Sequence, residues 1–202
     1  MGADDEKMMI EKREQLREKI RERHGIKEDD FLIVTGGKID RLKNIHILAR
    51  AVNALNRKNI KLLVFGKIND DMQPLFDVEQ SPNIITIGWV NSDKVYELFY
   101  AADLIVFPGL HSVLWEQAVA SKTPCAFSKM EGFEHVNVNG NCILMTGKDY
   151  DYYNSMLSDL LDSPNKYDEL KENASSPELD CFFYSRIAKQ VLQDIGLDKH
   201  VV

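Results

Sequence analysis

The chain has 202 residues, enough for one domain with a substantial core, and its 44% hydrophobic and 28% charged content suit an ordinary soluble globular protein. A net charge of −7 argues against DNA or RNA as partners. No apolar run approaches the roughly 20 residues of a membrane span, and the N-terminal stretch is too charged for a signal peptide. Cys125, Cys142 and Cys181 are odd in number, widely spaced and without metal-ligand spacing, so they read as reduced thiols of a cytosolic protein.

The first predicted element is a highly charged helix over Glu6–His24, with a narrow apolar stripe of Met9, Ile10, Leu16 and Ile20 and Gly25 as its C-cap. From Phe31 onward strands and helices alternate. The strands are predicted at Phe31–Gly36, Lys61–Gly66, Ile84–Gly88, Leu104–Phe107, Cys125–Ser128 and Cys142–Met145. They are short, nearly unbroken apolar runs, as in a parallel sheet covered on both faces. Helical patterns lie between them at Asn44–Arg57, Asp70–Val78, Ser92–Ala101 and Ser112–Ser121. After Met145 come three more, at Tyr150–Asp162, Asn165–Asn173 and Pro177–Ile195, the last the most amphipathic. The alternation predicts an α/β fold: one Rossmann-like, doubly wound parallel sheet of six strands with C-terminal helices.

Two stretches carry the chemistry. In FLIVTGGKIDRLKN the first strand ends in Gly36-Gly37, with Lys38 and Lys43 just beyond. Glycines at the carboxyl end of a central strand let the backbone approach a ligand closely, and two lysines beside them suit a diphosphate. The same residues would serve as a solvated turn, and the spacing of a Walker motif is missing. In AADLIVFPGLHSVLWEQAVASKTPCAF a strand breaks at Pro108-Gly109 and a helix follows. His111, Ser112, Val113 and Leu114 approach that helix, where free N–H groups favour an anion, although Ser112 would equally serve as an N-cap. Glu116, in its first turn, would accept hydrogen bonds from hydroxyls such as those of a ribose, or simply favour the helix start.

The order of these segments resembles the C-terminal half of a family 4 glycosyltransferase of the two-Rossmann-domain (GT-B) architecture, over about Glu11 to Met145 and more weakly to Leu197. That family has Gly-Arg-Leu after the strand and Lys-Gly five residues beyond the Arg; here Lys38 stands for the Arg and Lys43-Asn44 for the Lys-Gly. Its later signature is Pro-Ser, a Glu, Phe-Gly, then a second Glu-Ala followed by Gly-Thr-Pro. This chain has Pro108-Gly109, Ser112-Val113, Glu116-Gln117-Ala118 and Lys122-Thr123-Pro124, and lacks the first Glu: Pro108 lies eight residues before Glu116.

The resemblance implies a substrate site of Gly36, Gly37, Lys38, Lys43, Trp89, Val90, His111, Ser112, Val113, Leu114 and Glu116, with catalytic residues unassigned. Trp89 would stack on uracil or guanine, or be a plain core or interface tryptophan, and His111 would stand in for the missing Glu or be an ordinary loop histidine. Met130–Glu134 takes the place of a glycine turn and forms pocket wall at most. Residues 1–30 are expected to form a linker helix and 31–202 the nucleotide-sugar-binding domain.

The implied reaction is hexosyl transfer from a UDP- or GDP-sugar to a sugar or lipid-linked acceptor, with retention, in polysaccharide biosynthesis. No cofactor and no metal are implied, and the nucleotide sugar is the substrate. The expected partner is the N-terminal acceptor-binding domain, in cis or as a separate chain, without which the chain transfers nothing. The implied location is cytoplasmic, with peripheral membrane attachment open to the longer enzyme. Two alternatives stay open, a non-catalytic scaffold or regulatory domain on the same fold and one half of a sugar-nucleotide epimerase.

Overall fold

The structure, a computed structural model, describes residues 1–196; residues 197–202, where the predicted domain and the weaker resemblance end, lie outside the described residues. Six strands form one sheet: β1 (Phe31–Gly36), β2 (Ile60–Phe65), β3 (Ile84–Gly88), β4 (Leu104–Phe107), β5 (Cys125–Ser128) and β6 (Cys142–Met145). Every pairing is parallel and the order is β3-β2-β1-β4-β5-β6. The chain steps outward from β1 to β3, returns to place β4 beside β1, and steps outward again to β6. β1 and β4 therefore flank the point where the strand order reverses, the place where open α/β sheets hold ligands.

Both faces of the sheet are covered. In β1, Leu32 and Val34 enter one core and Ile33 the other, all fully buried, which is why the strands read as continuous apolar runs. One core lies under α1 (Arg13–Arg23), α4 (Ser92–Ala101) and α5 (Leu114–Ala120). The other lies under α2 (Ile45–Ala54), α3 (Gln73–Val78), α6 (Tyr150–Leu161) and α7 (Pro164–Ala174). Two tyrosines pin this second layer to the ends of β4: Tyr153 of α6 donates to the Pro108 carbonyl at 2.9 Å, and Tyr167 of α7 to that of Asp103 at 3.0 Å.

Among its apolar residues, α1 buries only Leu16 and Ile20, so apolar contact alone is a weak anchor. Arg13, Arg17 and Arg21, four apart on one face, supply the rest. Arg13 donates to the carbonyls of Ser121 and Lys122, at the end of α5, at 2.8 and 3.1 Å. Arg17 and Arg21 donate to Ala101, at the end of α4, at 2.8 and 3.2 Å, and reach Asp103 at 2.6 and 3.3 Å. Carbonyls at a helix C-terminus lack intrahelical donors, and cations are favoured there.

Apart from shifted element ends, two elements differ from the predicted ones. The N-terminal helix starts as a 3₁₀ turn at Ile10–Lys12, and the segment before it is not helical: Ala3 bridges Phe183 and a turn follows at residues 5–7. The Ala3 N–H donates to Phe182 at 2.8 Å and the Tyr184 N–H to Ala3 at 2.9 Å. This pairing holds Phe183 extended, at φ −72° and ψ 136°, and so divides the long C-terminal helix into a 3₁₀ turn at Pro177–Phe182 and α8 (Tyr184–Asp194). A distant backbone pair outweighs local helical pattern here. Among the described residues no helix is long and apolar enough to cross a membrane.

Candidate functional site at the carboxyl edge of the sheet

The loops that leave β1, β2 and β3 nest against one another. The Gly37 N–H donates to Phe65 at 3.0 Å and the Gly66 N–H to Gly88 at 2.6 Å. Gly66 has φ +112°, and a Cβ there would run into the Gly37 carbonyl, so only glycine allows the approach. Beside this stack lies an open cavity of about 420 Å³, walled by Ile39, Gly66, Lys67, Ile68, Gly88 and Trp89. Trp89 is 72% exposed, so it is a cavity wall and not a core tryptophan. Val90 turns the other way and packs half-buried against the core.

The lysines divide into two kinds. Lys38 is exposed and makes no hydrogen bond or ion pair with any described residue. Lys67, absent from the predicted site, follows Gly66 at the end of β2 much as Lys38 follows Gly37, and it too is exposed at the cavity. That repeated Gly-Lys pair was the available sequence signal. Lys43 is different: its Nζ donates to the Leu110 carbonyl at 2.6 Å and lies 3.5 Å from that of His111. Burial of the ammonium pulls its pKa down, the nearby Asp40 partly opposing this. Asn44 Nδ2 donates to Pro108 at 3.2 Å, and a Cβ on Gly109 would strike the backbone of Leu42 and Lys43. The turn after β1 and the loop after β4 are thus fastened together across the switch point.

Glu116 departs from its predicted place. It is fully buried, facing inward and not toward a cleft, because α5 is enclosed on most of its circumference: Trp115, Ala118, Val119 and Ala120 are buried with it. Its Oε1 accepts from two imidazoles, His111 Nε2 at 2.9 Å and His135 Nε2 at 3.0 Å, and its Oε2 has no partner among the described residues. His135 was not predicted; it follows the Met130–Glu134 turn, whose Phe133 stacks on His111 with ring centroids 4.2 Å apart. Trp115 meets the His111 ring edge-on at 5.1 Å.

The residues of α5 that are not buried are Leu114, which packs against Gly37, and Gln117, one turn on and half-buried. Gln117 directly precedes Ala118, as the second Glu of the resembled signature precedes its Ala. Ser112 makes no cap bond; the residue before α5 is Val113, and no side chain bonds the first amides. Among the described residues no group of three or more His, Cys, Asp or Glu side chains is arranged to hold a metal ion.

Residues 16–176 match the sequence profile of the glycosyl transferases group 1. The chain belongs to the glycosyl transferases group 1 family. A curated relative, an uncharacterised glycosyltransferase of Methanocaldococcus jannaschii, is 28% identical over 126 residues, covering 57% of this chain and 32% of the relative. Anabaena Alr3699/HepE, solved with UDP and glucose, shares the fold with a TM-score of 0.73 at 16% identity, over 90% of this chain and 52% of its own. A solved UDP-N-acetylglucosamine 2-epimerase shares it with a TM-score of 0.65 at 14% identity, over 91% of this chain and 47% of its own. At such identities the likeness shows the fold alone. The chain spans about a third of the curated relative and about half of each solved protein.

Two backbone details agree with the resembled signature. Asn44 and Lys122 stand where the signature has glycines, and both adopt a left-handed conformation, with φ 55° and 57°.

Proposed function

We propose that this chain binds the nucleotide of a sugar donor at the crevice between β1 and β4, as the donor-binding half of a hexosyltransferase that uses a UDP- or GDP-sugar. The observation that carries the reading is the nest of glycine turns where the loops after β1, β2 and β3 meet, on the β2 side of the switch point, with the exposed ammonium groups of Lys38 and Lys67 beside it and unpaired among the described residues. Backbone can approach a diphosphate closely there. Two cations can take up the charge that grows on the diphosphate as its bond to the sugar breaks, the work a metal ion would otherwise share. The exposed face of Trp89 suits a stacked base, and the UDP held by HepE favours uracil. Gln117, on the helix face turned to Gly37, is the candidate ribose contact in place of Glu116.

The acceptor side belongs in this reading to a second domain of similar size. Its support is the length of the relatives, the α8 helix, which buries none of its residues, and the exposed Leu42, Leu110 and Val113 beside the crevice. Alone, the chain should bind donor and transfer nothing. A non-catalytic domain is the second reading, favoured by the internal engagement of Lys43 and Glu116. Calorimetric titration with UDP, GDP and uridine separates them. A donor-binding chain takes up a diphosphate far more tightly than uridine, and a scaffold binds none of the three.

A further inference from the structure

We infer that an open cavity between α2, α3 and the start of α6 is a second ligand site, which takes a small organic carboxylate with an apolar body. The cavity shares no lining residue with the one beside the glycine nest, so the two sites stand or fall separately.

The cavity holds about 490 Å³, within the range of small-molecule sites. Its apolar wall is Ile47 of α2, Leu75 and Val78 of α3, and Tyr150 of α6. Val78 is 81% exposed, more than any other large apolar side chain among the described residues. The walls are fastened to one another. Asn53 Nδ2 donates from α2 to the Glu79 carbonyl at the end of α3, at 2.9 Å, and Asn154 Nδ2 from α6 to the Ala51 carbonyl in α2, at 3.2 Å. The loop that leads into α6 is held as well. The Thr146 N–H donates to Tyr152 Oη at 3.1 Å, and a Cβ on Gly147 would strike the Tyr152 ring. The concavity is therefore preformed, as ligand sites usually are.

The charges around it are engaged on one side only. Both lining carboxylates have partners: Glu79 accepts from Asn53 Nδ2 at 3.1 Å, and Asp149 accepts from the Tyr152 N–H at 2.9 Å as the cap of α6. Neither lining cation has one, since Arg50 and Lys148 make no hydrogen bond or ion pair with any described residue. The Arg50 guanidinium lies over the Tyr150 ring, 5.0 Å from its centroid, which restrains the planar fork. Its N–H groups have no protein acceptor and suit an oxyanion. Burial pulls the His46 imidazole's pKa down, with Arg41 adding to it, so that wall stays neutral at pH 7.

The ligand class follows. An apolar wall beside two unpaired cations fits an anion with an apolar body. Glu79 and Asp149 offset the two cations in net charge, which disfavours the second negative charge of a phosphate monoester and selects a carboxylate. The concave shape, the exposed Asp77 beside Val78 and the net charge of −7 argue against an anionic membrane surface.

The test titrates the full chain with hexanoate and 3-phenylpropionate, with the neutral 3-phenylpropanol, with 3-phenylpropyl phosphate and with phosphatidylglycerol vesicles, following backbone ¹H–¹⁵N shifts. The two carboxylates should produce saturable shifts at millimolar concentration in α2, α3 and residues 146–150, and leave residues 36–38 and Gly66 unmoved. Arg50→Ala should weaken their binding at least about tenfold, the loss of one charge-assisted hydrogen bond. Val78→Asp, at an exposed position, should abolish it. UDP affinity should be the same in wild type and both variants. Equal binding of the alcohol would show an apolar hollow only, and tighter binding of the phosphate ester would show the wrong charge class; either overturns the inference. So do binding to the vesicles alone, shifts centred on the glycine nest, carboxylate affinity unchanged in Arg50→Ala, and the absence of any saturable shift with either carboxylate.

Discussion

Lys43 donates to the Leu110 carbonyl at 2.6 Å, and through that bond the turn after β1 holds the loop after β4 in place. Lys38, five residues earlier in the same turn, makes no hydrogen bond or ion pair with any described residue. Two lysines that look alike in sequence should therefore fail differently. Lys38→Ala should weaken UDP or GDP binding by about 1.5–3 kcal/mol, the range for a hydrogen bond to a charged group, with stability unchanged within about 0.5 kcal/mol. Lys43→Ala should lower stability by about 1.5 kcal/mol, with any binding loss following from the loosened loop. Thermal melts and calorimetry on both variants check the contrast; equal melting temperatures would contradict it.

Gln117 offers a neutral amide where the family signature has a carboxylate. Gln117→Glu should tighten nucleoside-diphosphate binding by about 1 kcal/mol, the difference between neutral and charge-assisted hydrogen bonds. Gln117→Ala should weaken it, and deoxyribose analogues should bind both variants alike. Unchanged UDP and GDP affinities in both would remove Gln117 from the site.

Arg21 is nearly buried and serves Asp103 together with the carbonyls of Ala101 and Lys27. Arg21→Ala should cost about 3 kcal/mol, the low end for breaking a buried ion pair, because Asp103 keeps Arg17 at 2.6 Å. Urea denaturation measures it. A loss under about 1 kcal/mol would show that α1 is held chiefly by Leu16 and Ile20.

Lys122 is left-handed at φ 57° and pairs with Asp180 at 2.8 Å. Lys122→Ala and Lys122→Gly both lose the ion pair, and only glycine relieves the backbone. The glycine variant should be the more stable by about 1 kcal/mol, the reverse of the order in a helix interior. Paired denaturation curves decide the order.

Burial pushes the Cys142 thiol from 9.0 up to about 12 and the Tyr153 phenol from 10.0 up to about 12, and raises Cys125, Tyr100 and Tyr167 as well. Each group holds its proton more tightly folded than unfolded. Stability from these groups is therefore fully present below about pH 9 and declines as pH rises toward 12, by about 1.4 kcal/mol per pKa unit per group. Denaturation between pH 8 and pH 11 should show the decline. Tyr153→Phe should cost about 1 kcal/mol at neutral pH, through the lost Pro108 bond, and reduce the slope above pH 10.

The sequence by itself determined the sheet and its class. Apolar runs broken by glycine, with helical patterns between, leave few arrangements other than a parallel sheet covered on both faces. Five of the six strands fall on their predicted bounds, and β2 is shifted by one residue. It also placed Gly36, Gly37 and Lys38 at the crevice, since the carboxyl end of a central strand is a topological property. The direction of Glu116 was decided only in three dimensions. One residue along a helix turns a side chain by about 100°, so of two neighbours as close as Glu116 and Gln117 the first is fully buried and the second half-exposed. The long-range pairs were equally hidden: Lys43 with Leu110, Glu116 with His135, Ala3 with Phe183. Each joins segments that no periodicity links, and only the closed fold brings their polar groups within hydrogen-bond distance.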